Sequence, residues 1–158
     1  MHVRPIRRTN RGKRVSALDD AAWNHSEWIS VANAPVITGE INGSNERAAD
    51  GAAWFVSVVK NEKEINSARW MTTGLGVYEL YVNGKLIGEE ILKPGFTHPY
   101  KTKRSFTYEV SNALSKQVGA ENVFAVQVTP GWWADKIITY SGQQGMVGTK
   151  VAFRGVLE

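Results

Sequence analysis

The side chains in this chain with the clearest chemistry are aromatic residues that stand beside polar ones at turns. Gly131-Trp132-Trp133-Ala134-Asp135-Lys136 is followed by Tyr140. A sugar ring offers an apolar C–H face and a rim of hydroxyls, so a site for it needs an exposed aromatic platform beside a carboxylate or amide. Trp132 or Trp133 with Asp135 has that combination, and Tyr140 extends it; the competing use of tryptophans after a Pro-Gly turn is to plug the end of a sandwich. A second set is Tyr78, Glu79, Tyr81 and Asn83. Strand alternation puts Tyr78 and Leu80 on one face and Glu79 and Tyr81 on the other. Trp23, Trp28, Trp54 and Trp70 read as core or domain-contact residues.

Residues for bond-breaking chemistry are not grouped in this way. Glycoside hydrolysis needs two carboxylates facing each other across a cleft. Glu89-Glu90 is the adjacent glutamate pair, and on a strand its side chains would point to opposite faces. His2, His25 and His98 are too far apart in sequence to suggest a metal trio, and there is no cysteine. Gly74-Leu75-Gly76 lacks the third glycine and following helix of a dinucleotide fingerprint. No nucleophile elbow is present. The expectation is a domain without its own catalytic machinery.

The elements that must position the aromatic sets are strands. After Gly51, runs of β-branched and aromatic residues recur between turn signals. They are 53–59, 68–73, 77–82, 85–88, 103–110, 121–128 and 150–157. Asn83-Gly84 is the dipeptide of a tight hairpin with both turn residues at positive φ. Ser111-Asn112-Ala113-Leu114 reads as a capped single turn, and residues 132–148 as a loop. No stretch of 10–12 residues keeps a 3.6-residue period, which argues against α/β folds and helical bundles. The fold class is all-β, about eight strands in a two-sheet jelly-roll sandwich; an OB-type barrel is the alternative. Residues 15–50 are loop-rich, with one short strand expected at Val36-Ile37-Thr38, and pack on the sandwich formed by 51–158.

Charge separates the same regions. The chain has 158 residues and a formal charge of +4. Residues 1–14 hold Arg4, Arg7, Arg8, Arg11, Lys13 and Arg14 and no acid, so the rest carries 13 basic against 15 acidic residues, a net −2. The basic stretch reads as a flexible arm, and nucleic acid is not the expected partner. No run approaches the roughly 18 apolar residues of a membrane span, so no membrane partner is expected.

Several of these segments, in fixed order and spacing, resemble one known family. They are Ala68 to Gly88 (ARWMTTGLGVYELYVNGKLIG), Leu92-Lys93-Pro94-Gly95-Phe96-Thr97, Thr107 to Leu114, Glu121-Asn122-Val123 and Gly131-Trp132-Trp133. Together they are similar to the N-terminal β-sandwich of bacterial α-L-rhamnosidases, glycoside hydrolase family 78, over residues 50–158. The resemblance implies a galactose-binding-like jelly roll ahead of an (α/α)6 barrel that cleaves terminal α-L-rhamnose with inversion. It brings no catalytic residue to this chain, because the family's acid and base lie in the barrel. The implied role is a non-catalytic accessory domain that docks on the barrel and other β-domains of a periplasmic or extracellular parent, with a part in recognising rhamnose-containing glycans. An autonomous lectin-like module is the alternative. A related sandwich, the carbohydrate-binding module of family 67, binds rhamnose with calcium, so calcium is the one metal the resemblance brings, with no ligand pair assigned. The chain departs from the family at Phe96-Thr97-His98-Pro99-Tyr100, where many relatives continue their turn with Asp-Tyr.

Overall fold

A computed structural model describes residues 3–5, 23, 26–31, 52–98, 101–134, 137–138, 144–145 and 151–158. In chain order the strands are β1 (Val3–Pro5), β2 (Ile29–Ser30), β3 (Ala53–Lys60), β4 (Arg69–Leu75), β5 (Val77–Val82), β6 (Lys85–Ile87), β7 (Lys103–Glu109), β8 (Glu121–Thr129), β9 (Ile137–Ile138), β10 (Gln144–Gly145) and β11 (Ala152–Leu157). A five-stranded sheet A runs β1-β7-β4-β11-β2, and a four-stranded sheet B runs β3-β8-β5-β6. Neighbours pair antiparallel except β1, which lies parallel to β7. The small pair β9 and β10 lies where a continuous loop was expected. The expected strand at residues 36–38 falls outside the described residues.

The two sheets pack through alternate residues. Tyr78, Leu80 and Val82 of β5 and Phe124, Val126 and Val128 of β8 are buried, and the residues between them are not. From sheet A they meet Trp70 and Phe153: Trp70 stands edge-on to Phe124 at 5.2 Å and Tyr78 edge-on to Phe153 at 5.5 Å. The Tyr78 hydroxyl, sealed in this core, shares a 3.1 Å hydrogen bond with Thr72 Oγ1 across the sheets. Burial raises the phenol's pKa well above that of an ordinary tyrosine. Each fully buried side chain of this size contributes about 1.5–3 kcal/mol.

Turn chemistry sets the registers. Asn83 and Gly84 adopt φ of 50° and 78°, the expected tight hairpin, pairing Val82 with Lys85. Gly76 carries the chain from sheet A to sheet B at φ 126°, and a Cβ there would run into the Thr129 carbonyl oxygen, so the Gly-Leu-Gly run is a crossing point. Below the hairpin, three asparagines tie the sheet end together. Asn83 Nδ2 donates to Asn122 Oδ1 at 2.8 Å, and Asn122 Nδ2 donates to Asn61 Oδ1 at 3.0 Å. Residues 111–113 form a 3-10 turn without a side-chain cap. Ser111 Oγ accepts from the Ala68 amide and donates to Glu109 instead.

Sheet A is covered on its outer side as well. Met71 and Thr73 are 2% and 1% exposed although they alternate with the inward Trp70 and Thr72. Arg154, paired with Thr73, explains how the N-terminal segment is held there. Its guanidinium lies over the Trp23 ring at 5.2 Å and donates to Ser26 Oγ and Ser26 O at 2.8 Å each, and to the Trp23 carbonyl. Trp23 and Trp70 are therefore core residues. Trp28 and Trp54, at 38% and 53% exposure, are not.

Candidate functional site

The tryptophan pair lies on a short helical turn, α1 (Gly131–Ala134), at the end of β8. Pro130 ends the strand, and Gly131 turns the chain at φ 48° against Val77, where a larger residue would collide. The two rings then diverge. Trp133 is half-buried against the core cluster, with Lys103 Nζ 4.3 Å above its ring. Trp132 is half-buried and meets Phe96 edge-on at 6.3 Å. Between them and the links 74–76 and 94–97 lies a small cleft of about 360 Å³ including its open mouth. Lys103 and Arg104, at the start of β7, supply its charge. Burial pulls the Lys103 ammonium below the usual lysine pKa.

This cleft has aromatic walls but encloses only about 30 Å³ of room, a shallow notch beside the roughly 300 Å³ or more of an ordinary ligand pocket. Trp133 serves mainly as a plug, while Trp132 and Phe96 face the opening. Asp135 and Tyr140, the polar partners expected from sequence, lie outside the described residues. The described lining holds two cations and no carboxylate, and among the described residues no three His, Cys, Asp or Glu side chains gather as metal ligands.

The second set divides. Asn83 is committed to the fold: Nδ2 also donates to the Ala113 carbonyl at 2.8 Å, and Oδ1 accepts from the Val123 amide at 2.8 Å. Glu79 is free of the core on the outer face of sheet B, where Oε2 accepts from the Tyr81 hydroxyl at 3.3 Å. Tyr81 in turn approaches Trp54 with ring centroids 5.6 Å apart and planes at 40°. Trp54 is the residue that sequence reasoning assigned elsewhere. Every residue from 53 to 56 in Ala-Trp-Phe-Val is apolar, so alternation gives no sign of which face is wet.

Glu89 and Glu90 are not on a strand, since β6 ends at Ile87. Glu90 Oε2 accepts from the Tyr108 hydroxyl at 3.2 Å, a structural contact.

Comparison with known proteins agrees with this architecture. A family model described as the α-L-rhamnosidase N-terminal domain matches residues 63–158, more than half of the chain. An α-L-rhamnosidase of Streptomyces avermitilis is 37% identical over 86 residues, 54% of this chain and 7% of the relative. One from Formosa agariphila is 23% identical over 133 residues, covering 78% of this chain and 14% of that protein. Among solved structures, native α-L-rhamnosidase from Aspergillus terreus superposes with a TM-score of 0.72 at 23% identity, over 89% of this chain and 15% of that one. The S. avermitilis enzyme complexed with L-rhamnose gives 0.60 at 29% identity, over 72% and 11%. This chain thus spans a small fraction of the proteins it matches. The strand order, the Gly-Leu-Gly crossing, the Asn-Gly hairpin and the matched residues lead to one assignment: the chain belongs to the α-L-rhamnosidase N-terminal domain family.

Proposed function

We propose that the chain is a non-catalytic accessory domain of an α-L-rhamnosidase, docking on the catalytic (α/α)6 barrel of that enzyme. The observation that carries the docking is the loop between β6 and β7. Ile91 and Leu92 are 83% and 53% exposed, yet the residue after them is among the most deeply buried in the domain. Lys93 Nζ donates to the carbonyls of Ile87 and Glu90 at 3.3 and 3.1 Å, and its own carbonyl accepts from the Tyr78 amide at 2.7 Å. Two large aliphatic side chains are thus held out to solvent on a firm base. Covering each by a neighbouring domain is worth about 1.5–3 kcal/mol.

The non-catalytic part rests on the family resemblance, which brings no acid or base to this chain. The purified chain is expected to leave an aryl α-L-rhamnoside intact, and turnover by it would sink this reading. For docking, Ile91→Asp with Leu92→Asp should lower the melting temperature of a polypeptide that joins domain and barrel, while the domain alone melts unchanged.

A second reading, carbohydrate recognition by an autonomous lectin-like module, is favoured by the Trp132–Phe96 wall of the cleft. Calorimetric titration with L-rhamnose, with and without calcium, tests it. Absence of heat in both titrations leaves the accessory role alone.

A further inference from the structure

Of the strands at the ends of sheets A and B, β3 is the one left unguarded. The others are short: β1 and β6 have three residues each and β2 has two. β1 also carries Arg4 and Pro5, and β6 carries Lys85. Short length, proline and charge are the usual means by which an edge avoids pairing with another chain. β3 has eight residues, Ala-Trp-Phe-Val-Ser-Val-Val-Lys, with no proline and a single charge at its last position. Its register with β8 runs from Ala53↔Val128 to Lys60↔Glu121 without a bulge, and among the described residues no strand pairs with its other side.

The ladder fixes which backbone groups that side offers. The Asn61 amide donates to the Ala120 carbonyl at 2.9 Å, and the Gly119 amide donates to the Asn61 carbonyl at 2.8 Å. Residue 61 therefore turns its N–H and C=O inward to the sheet, and by alternation so do 59, 57, 55 and 53. The far side of β8 agrees, since the Val123 carbonyl accepts from the Asn83 amide and leaves 122 and 124 to face β3. Trp54, Val56, Val58 and Lys60 turn their N–H and C=O outward. The side chains of the first three are 53%, 63% and 57% exposed.

This edge is complementary to itself. A second β3 laid antiparallel about a two-fold axis at Ser57 sets Trp54 opposite Lys60, Phe55 opposite Val59 and Val56 opposite Val58. The four outward-turned residues then meet one another, and each pair exchanges two hydrogen bonds, about eight in all. No like charges are opposed, and each Lys60 ammonium comes to rest beside an indole, a favourable partner for it. A two-fold at Val56 is poorer, because it sets Lys60 opposite Ala52, beyond the end of β3. The place is also independent of barrel docking: Ile91 and Leu92 follow β6, at the opposite edge of sheet B from β3.

We propose that β3 is a dimerisation edge, at which two copies of the chain join their four-stranded sheets B into one continuous sheet, with Ser57 on the two-fold axis. An isologous contact of this kind uses up both edges, so association stops at two chains. One strand pair is a small interface, and the expected Kd is about 100 µM. Sedimentation equilibrium of the intact chain from about 10 µM to about 1 mM, a span bracketing that Kd, should show the mean mass rising from one chain towards two. Val58→Pro removes an N–H that β8 does not use, a change that an edge strand tolerates. It should melt close to the parent and stay monomeric throughout. Val56→Lys should do the same without altering the backbone. The chain has no cysteine, so Ser57→Cys reports the register. The two-fold brings the paired Cα atoms to about 4.5 Å, within disulfide reach. Mild oxidation should cross-link Ser57→Cys about tenfold or more faster than Leu86→Cys on the other edge strand, as its higher effective concentration requires. A single-chain mass at about 1 mM, well above that Kd, would overturn the proposal, as would a dimer that survives both Val58→Pro and Val56→Lys. Cross-linking of Ser57→Cys no faster than that of Leu86→Cys would overturn the register, and masses climbing beyond two chains would overturn the two-fold closure.

Discussion

Replacing Asn122 with alanine should be among the most damaging single changes in this domain, although the residue does not line the cleft. Asn122 is 1% exposed, and its amide makes four hydrogen bonds. Oδ1 accepts from the Ser115 amide and Asn83 Nδ2 at 2.8 Å each; Nδ2 donates to Asn61 Oδ1 and the Ser115 carbonyl at 3.0 Å each. Truncation removes all four and strands the Ser115 amide and the buried Asn61 oxygen. At about 1 kcal/mol net per bond the four bonds come to about 4 kcal/mol, a lower bound because the buried groups left unpaired add to it. For a domain of this size the urea m-value is about 2 kcal/mol/M, so the unfolding midpoint should fall by about 2 M. Asn122→Asp sharpens the test. It keeps the shape but turns a carboxylate oxygen towards two acceptors, so its folded-state pKa must lie above the unfolded value of about 3.9. Its stability is then fully present below that pH and lost as pH rises, and the variant should regain stability on acidification, in contrast to the alanine variant. A midpoint shift below about 0.5 M for Asn122→Ala would refute the view that this network holds the sheet end together.

Three other perturbations probe separate parts of the fold. Burial, first of all, raises the phenol pKa of Tyr78 and of Tyr108, the latter also through neighbouring Tyr78 and Glu90. The stability they carry is complete below the unfolded pKa of about 10 and falls as pH rises beyond it, by about 1.4 kcal/mol per pH unit for the sealed Tyr78 and by less for the partly exposed Tyr108; tyrosinate absorbance followed alongside circular dichroism should show Tyr78 ionising only as the domain unfolds. Arg154→Ala removes the guanidinium over Trp23 and its bonds to Ser26, so proteolysis near residues 23–31 should speed up markedly, at a cost of about 2 kcal/mol. Unchanged proteolysis would mean that the segment is held by other contacts. Gly76→Ala places a Cβ against the Thr129 carbonyl at φ 126° and should cost about 3 kcal/mol or more in thermal melting; a loss under about 1 kcal/mol, the scale of a tolerated surface change, would show that the crossing has slack.

Much of the framework was legible locally. Val77 to Val82 alternates in type and in burial, and Asn-Gly produced the hairpin register that its φ preferences require. The Gly-Leu-Gly run could be seen as a break but not as the crossing between sheets, because the contact with Thr129 joins residues over 50 positions apart. Likewise Asn83 carries an ordinary turn signal, and only its neighbours at 113, 122 and 123 show that its amide is fully used.

By itself, the sequence determined the all-β class, most strand positions and the family, since period-2 patterning, turn dipeptides and motif order are properties of short segments. Tertiary structure decided which side of each strand meets water. Ala-Trp-Phe-Val-Ser-Val-Val reads alike on both faces, and Trp54 is exposed because Phe55, not Trp54, faces sheet A. It also decided that Trp133 plugs the end while Trp132 faces the cleft, and that Arg154 clamps a segment over a hundred residues earlier in the chain. The physical reason is common to all three: the environment of these side chains is made by strands distant in sequence, and a local pattern carries no record of what will be packed beside it.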